Sequence, residues 1–124
     1  MEKRIVANVM ITPDGTRLQS YNRHDYKEHK DANGDTYMID GGLEYVRSSV
    51  NKIPATYLTV YNFDPHDFIR EHFSWGTYGI NGDQPLKYVI LKDMNTDHIN
   101  AILEIQKLHD FVRKILEDEL KFRG

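Results

Sequence analysis

The stretch FSWGTYGINGD, residues 73–83, places Phe73, Trp75 and Tyr78 on a backbone interrupted by Gly76, Gly79 and Gly82. Flat rings on such a frame offer stacking faces, worth about 1–3 kcal/mol each when the guest is a nucleobase. A second group, Asn22-Arg23-His24-Asp25-Tyr26, gathers a guanidinium, an imidazole and a phenol near one strand end, where they suit a phosphate and a ring. Lys107, His109, Arg113 and Lys114 put positive charge on the terminal helices and mark a second anionic site. Surface ion pairs, core aromatics and ordinary helix-face charge compete as explanations of these residues.

Other chemistries are excluded or weakened by spacing. Asp31-Ala32-Asn33-Gly34-Asp35 begins like a calcium loop, but Thr36 stands where glycine is needed and Gly42 where the bidentate glutamate belongs. A hairpin turn explains those residues. His24 and His29 lie five apart, which on a strand sends them to opposite faces, so no metal site is expected from them. Gly76, Gly79 and Gly82 match neither the dinucleotide fingerprint nor a phosphate-binding P-loop. With no cysteine and no G-x-S-x-G elbow, nucleophilic catalysis has no recognisable centre. A formal charge of −3 argues against a broad electrostatic grip on duplex nucleic acid, although a local cluster can still hold a small anion.

These residues need elements to position them, and the pattern is α+β. RIVANVMI, the turn signal Thr12-Pro13-Asp14-Gly15 and TRLQSYN form a first hairpin. Asn33-Gly34, the preferred pair of a two-residue type I′ loop, centres a second hairpin, and YLTVYNF alternates like another strand. LEYVRSSV is left unassigned. Asp64 as N-cap and Pro65 as first helical residue start a short helix running to about Phe73, ended by the glycine-rich stretch. KYVIL is a strand. Asn95 or Thr96 caps a helix carrying Ile99, Ile102, Leu103 and Gln106, and Phe111, Val112, Ile115, Leu116 and Leu120 repeat the helical period, closing the chain with an αα-hairpin. The expectation is one domain over residues 1–124: an N-terminal antiparallel sheet of hairpins followed by C-terminal helices, in an intracellular chain without a membrane span.

The order RHDY, YMIDGGLEYVR, REHFSWGTYGINGDQPLKYVILKDM and HINAILEIQ resembles the phage Thoeris anti-defence protein 1 family over nearly the whole chain. The resemblance implies a sponge that holds cyclic ADP-ribose isomers made by bacterial TIR-domain proteins, without cleaving them, in the cytoplasm of the bacterial host. It implies no enzyme activity and no cofactor, assembly as a homo-oligomer (a dimer or a dimer-based hexamer), and in some members a separate place for cyclic oligonucleotides. Carried onto this chain, Phe73 or Trp75 stacks on the base with Tyr78 also in the ligand-binding group, Arg23, His24 and Arg47 face the pyrophosphate, and Asn81 and Asp83 address the ring edge or sugars. The competing reading is a small phage protein that inhibits a host factor by direct protein–protein binding.

Overall fold

The computed structural model describes residues 2–79 and 81–124, and the chain divides into two compact units, residues 3–61 and residues 62–124 together with Glu2. The class is α+β, with eight antiparallel strands and three α-helices among the described residues.

The N-terminal unit contains β1 (Ile5–Ile11), β2 (Arg17–Ser20), β3 (Lys27–Lys30), β4 (Thr36–Asp40), β5 (Arg47–Ser48) and β6 (Thr56–Tyr61). They form two three-stranded sheets, ordered β2-β1-β6 and β3-β4-β5. A strand flanked on both edges and covered on both faces should be mostly apolar, and in β1 Val6 through Met10 are all buried, the one polar residue among them, Asn8, donating to Asp40 O and Tyr45 O at 3.2 Å each. Met10, Tyr37 and Ile39 form one buried cluster, against which Leu18 and Ala55 pack. The unassigned LEYVRSSV contributes β5, two residues paired with the end of β4.

Both hairpin turns have one design. Thr12 N–H donates to Thr16 O and Gly15 N–H to Thr12 O, each at 2.9 Å; Asp31 N–H donates to Asp35 O at 2.7 Å and Gly34 N–H to Asp31 O at 2.9 Å. Gly15 and Gly34 have φ near +90°, while Asn33 does not have positive φ. A type I′ turn needs positive φ at both central residues, so the second loop is instead a three-residue turn with a glycine bulge. Asn33-Gly34 correctly marks the hairpin but not its turn type.

The two tips are braced to each other. Asp14 N–H donates to Asp31 Oδ1 at 3.0 Å, Ala32 N–H donates back to Asp14 Oδ2 at 3.2 Å, and His29 Nε2 lies 2.9 Å from the same Oδ2. His29, then the hydroxyl of Thr12 and groups of Thr16, hold the Asp14 carboxyl far below the usual carboxylate range.

Gly41 and Gly42 set the end of β4. A Cβ on Gly41, at φ +113°, would stand 1.9 Å from Tyr45 O, and one on Gly42 would stand 2.3 Å from the backbone of Asn22. Gly41→Ala is therefore expected to cost more than the roughly 1–3 kcal/mol of a strained backbone alone. Gly34→Ala, whose Cβ would meet open space, should cost only the strain. Urea unfolding of both variants checks this, and equal losses would contradict it.

The C-terminal unit runs α1 (His66–His72), β7 (Ser74–Thr77), β8 (Lys87–Ile90), a single 3-10 turn (Leu91–Asp93), α2 (Thr96–Leu103) and α3 (Asp110–Arg123). Pro65 is the N-cap of α1, one residue later than expected for the cap, and the helix ends at His72 because Phe73 turns extended. The glycine-rich stretch after it is half strand: β7 pairs with β8, Trp75 opposite Val89 and Gly76 opposite Tyr88. Glycine at 76 leaves room for the cross-strand ring, since a Cβ there would lie 3.1 Å from Tyr88 and 3.2 Å from Leu86. Among the described residues, Ile69, Phe73, Leu91, Met94, Ile99, Ile102, Val112, Ile115 and Leu116 are the buried apolar residues of this unit. No described helix is long and apolar enough to cross a membrane.

Candidate functional site

The end of the β7–β8 hairpin and α2 border an open cavity of about 570 Å³ lined by Thr77, Gly79, Asn95, Asp97, His98 and Ala101. Side chains alternate along a strand, so Trp75 shares the face of Thr77, while Tyr78, just past the end of β7, is exposed. The hairpin end is shaped by its own backbone: Gln84 N–H donates to Tyr78 O at 2.8 Å and Gly79 N–H to Thr77 Oγ1 at 3.2 Å. Asn95 is the N-cap of α2 but makes no side-chain capping bond. The amides of the first turn therefore remain available for an anion, and the side chain remains available for a guest. Thr77, Asn95, Asp97 and His98 supply a hydroxyl, an amide, a carboxylate and an imidazole around one hollow.

The sequence-level candidates fall into separate groups. Phe73 is only 2% exposed and belongs to the core, so its ring has no open face for stacking. Trp75 is half-buried on the cavity strand, and Asn81 and Asp83 are exposed at the hairpin end, with Gln84 Nε2 donating to Asp83 Oδ1 at 3.3 Å. Arg23, His24 and Arg47 lie in the N-terminal unit. There His24 Nδ1 is 2.9 Å from Tyr45 Oη, Tyr45 donates to Asp40 Oδ2 at 3.1 Å, and Arg47 Nε lies 3.8 Å from that oxygen. Tyr45 thus joins His24 to Asp40 and Arg47. His24 sits at φ +62°, a backbone state uncommon for non-glycine residues. Burial, and then the bond to Asp40, raise the Tyr45 phenol above its ordinary pKa. Arg23 is exposed.

At the second anionic group, Arg113 donates to Leu103 O and Ile105 O, each at 2.9 Å, and so satisfies carbonyls at the end of α2. Its guanidinium works as a helix clamp. Lys107 and His109 are exposed, His109 as the N-cap of α3.

A stronger cluster went unforeseen. Glu119 is fully buried on α3, where Arg70 grips it with two bonds of 2.9 and 3.0 Å, Arg123 Nε donates at 2.8 Å, and His66 Nε2 lies 2.9 Å away. Arg70 also covers the Phe122 ring, 4.3 Å from its centroid. Arg123 continues to Thr96 Oγ1 and Leu91 O at 3.0 and 3.1 Å. The signal was present in the spacing: 112, 115, 116 and 119 trace one buried helix stripe, and a carboxylate in such a stripe needs cationic partners.

No protein-family model, no curated protein and no solved structure matches the chain.

The chemistry of each group is consequently read from its geometry. The Glu119 carboxylate is saturated by its own partners and acts as a structural tie. Burial alone would raise the Glu119 carboxyl, but the bonds from Arg70, Arg123 and His66 outweigh it and lower the pKa from 4.5 to about 2. A carboxyl depressed by folding stabilises fully above its unfolded value, so this contribution is present above about pH 4.5 and lost as pH falls toward 2. Unfolding free energy measured between pH 6 and pH 2 is expected to fall through that window, and Glu119→Gln is expected to flatten the fall. An unchanged slope in the variant would contradict the assignment. The cavity at the end of β7, in contrast, has polar groups in its lining, and Trp75 stands two residues before Thr77 on the same strand, a mixture suited to a small polar ring compound.

Proposed function

We propose that the protein is a non-catalytic sponge that binds and sequesters a cyclic ADP-ribose-type nucleotide without cleaving it, and so inhibits Thoeris immunity. The observation that carries this reading is the cavity of about 570 Å³ lined by Thr77, Asn95, Asp97 and His98, with Trp75 on the same strand face as Thr77. Its volume lies within the roughly 300–1,000 Å³ of small-molecule sites. Cyclic ADP-ribose has an adenine, two riboses and a pyrophosphate. The indole of Trp75 suits the adenine, Asn95, Asp97 and Thr77 suit the hydroxyls and ring edge, and His98 with the first amides of α2 suits the pyrophosphate. The sequence resemblance gives the same ligand class. The proposed setting is a phage-encoded chain in the bacterial host cytoplasm, assembled as a homo-oligomer.

A thermal-shift series with purified cyclic ADP-ribose isomers tests the reading. A bound isomer at 100 times its dissociation constant should add about 2.7 kcal/mol of stability. Linear ADP-ribose serves as the control for ring closure. Stability indifferent to every isomer would contradict the proposal.

Exposed apolar side chains favour a second reading, inhibition of a host factor by direct binding: Phe63 and Phe122 on the C-terminal unit and Val50 and Ile53 on the N-terminal unit are all largely solvent-accessible. A protein-only binder would leave the nucleotide series flat while retaining its host target on an affinity column.

A further inference from the structure

The braced hairpin tips bring together three metal-binding side chains that the sequence keeps apart. His29 Nε2, a carboxylate oxygen of Asp14 and one of Asp31 all lie within 4.8 Å of one another. Sequence spacing set His29 against His24, and that pairing gave no site. The fold sets it against Asp14 and Asp31 instead, one from each turn.

Three features make this a built arrangement. Asp31 is 5% exposed, so one ligand is fixed within the unit while His29 remains accessible from solvent. The His29 Nε2 to Asp14 Oδ2 distance is 2.9 Å. Two ligand atoms at about 2.0–2.1 Å from one ion stand roughly 2.9 Å apart at a right angle and 3.4 Å apart at a tetrahedral angle. The observed separation therefore accepts an ion in place of the shared proton. Finally, the outer hydrogen bonds already exist. Thr12 Oγ1 donates to Asp14 Oδ1 at 2.6 Å, Thr16 N–H donates to the same oxygen at 3.1 Å, and Asp14 N–H donates to Asp31 Oδ1 at 3.0 Å. Such bonds orient carboxylate ligands without occupying all their lone pairs.

We infer that Asp14, His29 and Asp31 form a binding site for a divalent first-row transition ion of the zinc class, completed by water and cross-linking the two hairpin turns. An imidazole nitrogen with two carboxylates selects such ions over calcium and magnesium, which prefer oxygen alone. The site goes beyond the nucleotide reading and is independent of it, since it uses no residue that lines the cavity at the end of β7.

The test titrates the full chain with Co²⁺ and Zn²⁺, following cobalt absorbance and, on ¹⁵N-labelled protein, paramagnetic broadening of amide signals. One equivalent should bind, with broadening centred on Gly15 and Ala32. His29→Gln keeps a hydrogen-bond donor for Asp14 but removes the imidazole, and Asp31→Asn keeps the acceptor for Asp14 N–H. Each should weaken binding at least tenfold. Calcium at the same concentration should leave the spectrum unchanged. Absence of binding at 1 mM metal, broadening centred elsewhere, or affinity unchanged in both variants would overturn the inference. The broadening map needs only the unmodified protein, so a variant that fails to fold does not remove the test.

Discussion

Glu119→Ala is expected to cost about 3–5 kcal/mol, because removing one member of a buried ion pair leaves charges in the interior without compensation. Arg70 would lose both of its bonds to the carboxylate, Arg123 would keep only Thr96 and Leu91, and His66 would lose its Nε2 partner. The His66 Nδ1 atom is already buried without a hydrogen-bond partner among the described residues, so that ring has nothing to fall back on within the cluster. The network itself is not thereby a large net stabiliser, since burying charges has its own desolvation cost. Its worth lies in the asymmetry: complete, it ties α1 to α3 and reaches the start of α2; broken, it is worse than an apolar filling. Trp75, the single tryptophan of the chain, belongs to the same unit and reports its unfolding by fluorescence. A loss under 1 kcal/mol in urea would show that solvent or neighbouring groups rescue the cations.

The second large effect separates two aromatic residues that stand two positions apart in the sequence. Phe73 is buried, so Phe73→Ala should destabilise the chain by about 3–5 kcal/mol through lost burial and a residual cavity. Trp75→Ala removes a half-buried ring on β7 and should leave most of the stability in place, while weakening nucleotide affinity by about 1–3 kcal/mol, roughly 5- to 150-fold. Chemical denaturation and calorimetric titration of both variants distinguish these roles. If Phe73→Ala unfolded no more easily than Trp75→Ala, or if Trp75→Ala bound ligand as tightly as the parent chain, the division of labour would be wrong.

What the sequence revealed, and what it concealed, follows from the range of the interactions. Hairpin tips at Thr12–Gly15 and Asn33–Gly34, the strand YLTVYNF and the two terminal helices were legible because they rest on local turn chemistry and periodicity. Strand β7 was not, because Ser74 to Thr77 contains a glycine under Tyr88 and becomes a strand only through its partner β8. Arg113 read as a free cation because the carbonyls it binds, those of Leu103 and Ile105, are exposed only where α2 ends. Asn95 was read solely as a cap, whereas the absence of a capping bond frees its side chain for the cavity. Glu119, Arg70 and His66 are separated by 49 and 53 positions, and Asp14 and Asp31 by 17, distances over which residue spacing carries no geometric information.

The central claim is capture of an intact cyclic nucleotide, and the most direct measurement is to mix the protein with a purified cyclic ADP-ribose isomer, remove unbound ligand, heat-denature the complex and identify what is released. The account predicts retention with a dissociation constant near nanomolar, about −12 kcal/mol, and release of unaltered ligand in stoichiometric amount. Release of hydrolysed fragments, or no retention of any isomer, would contradict it.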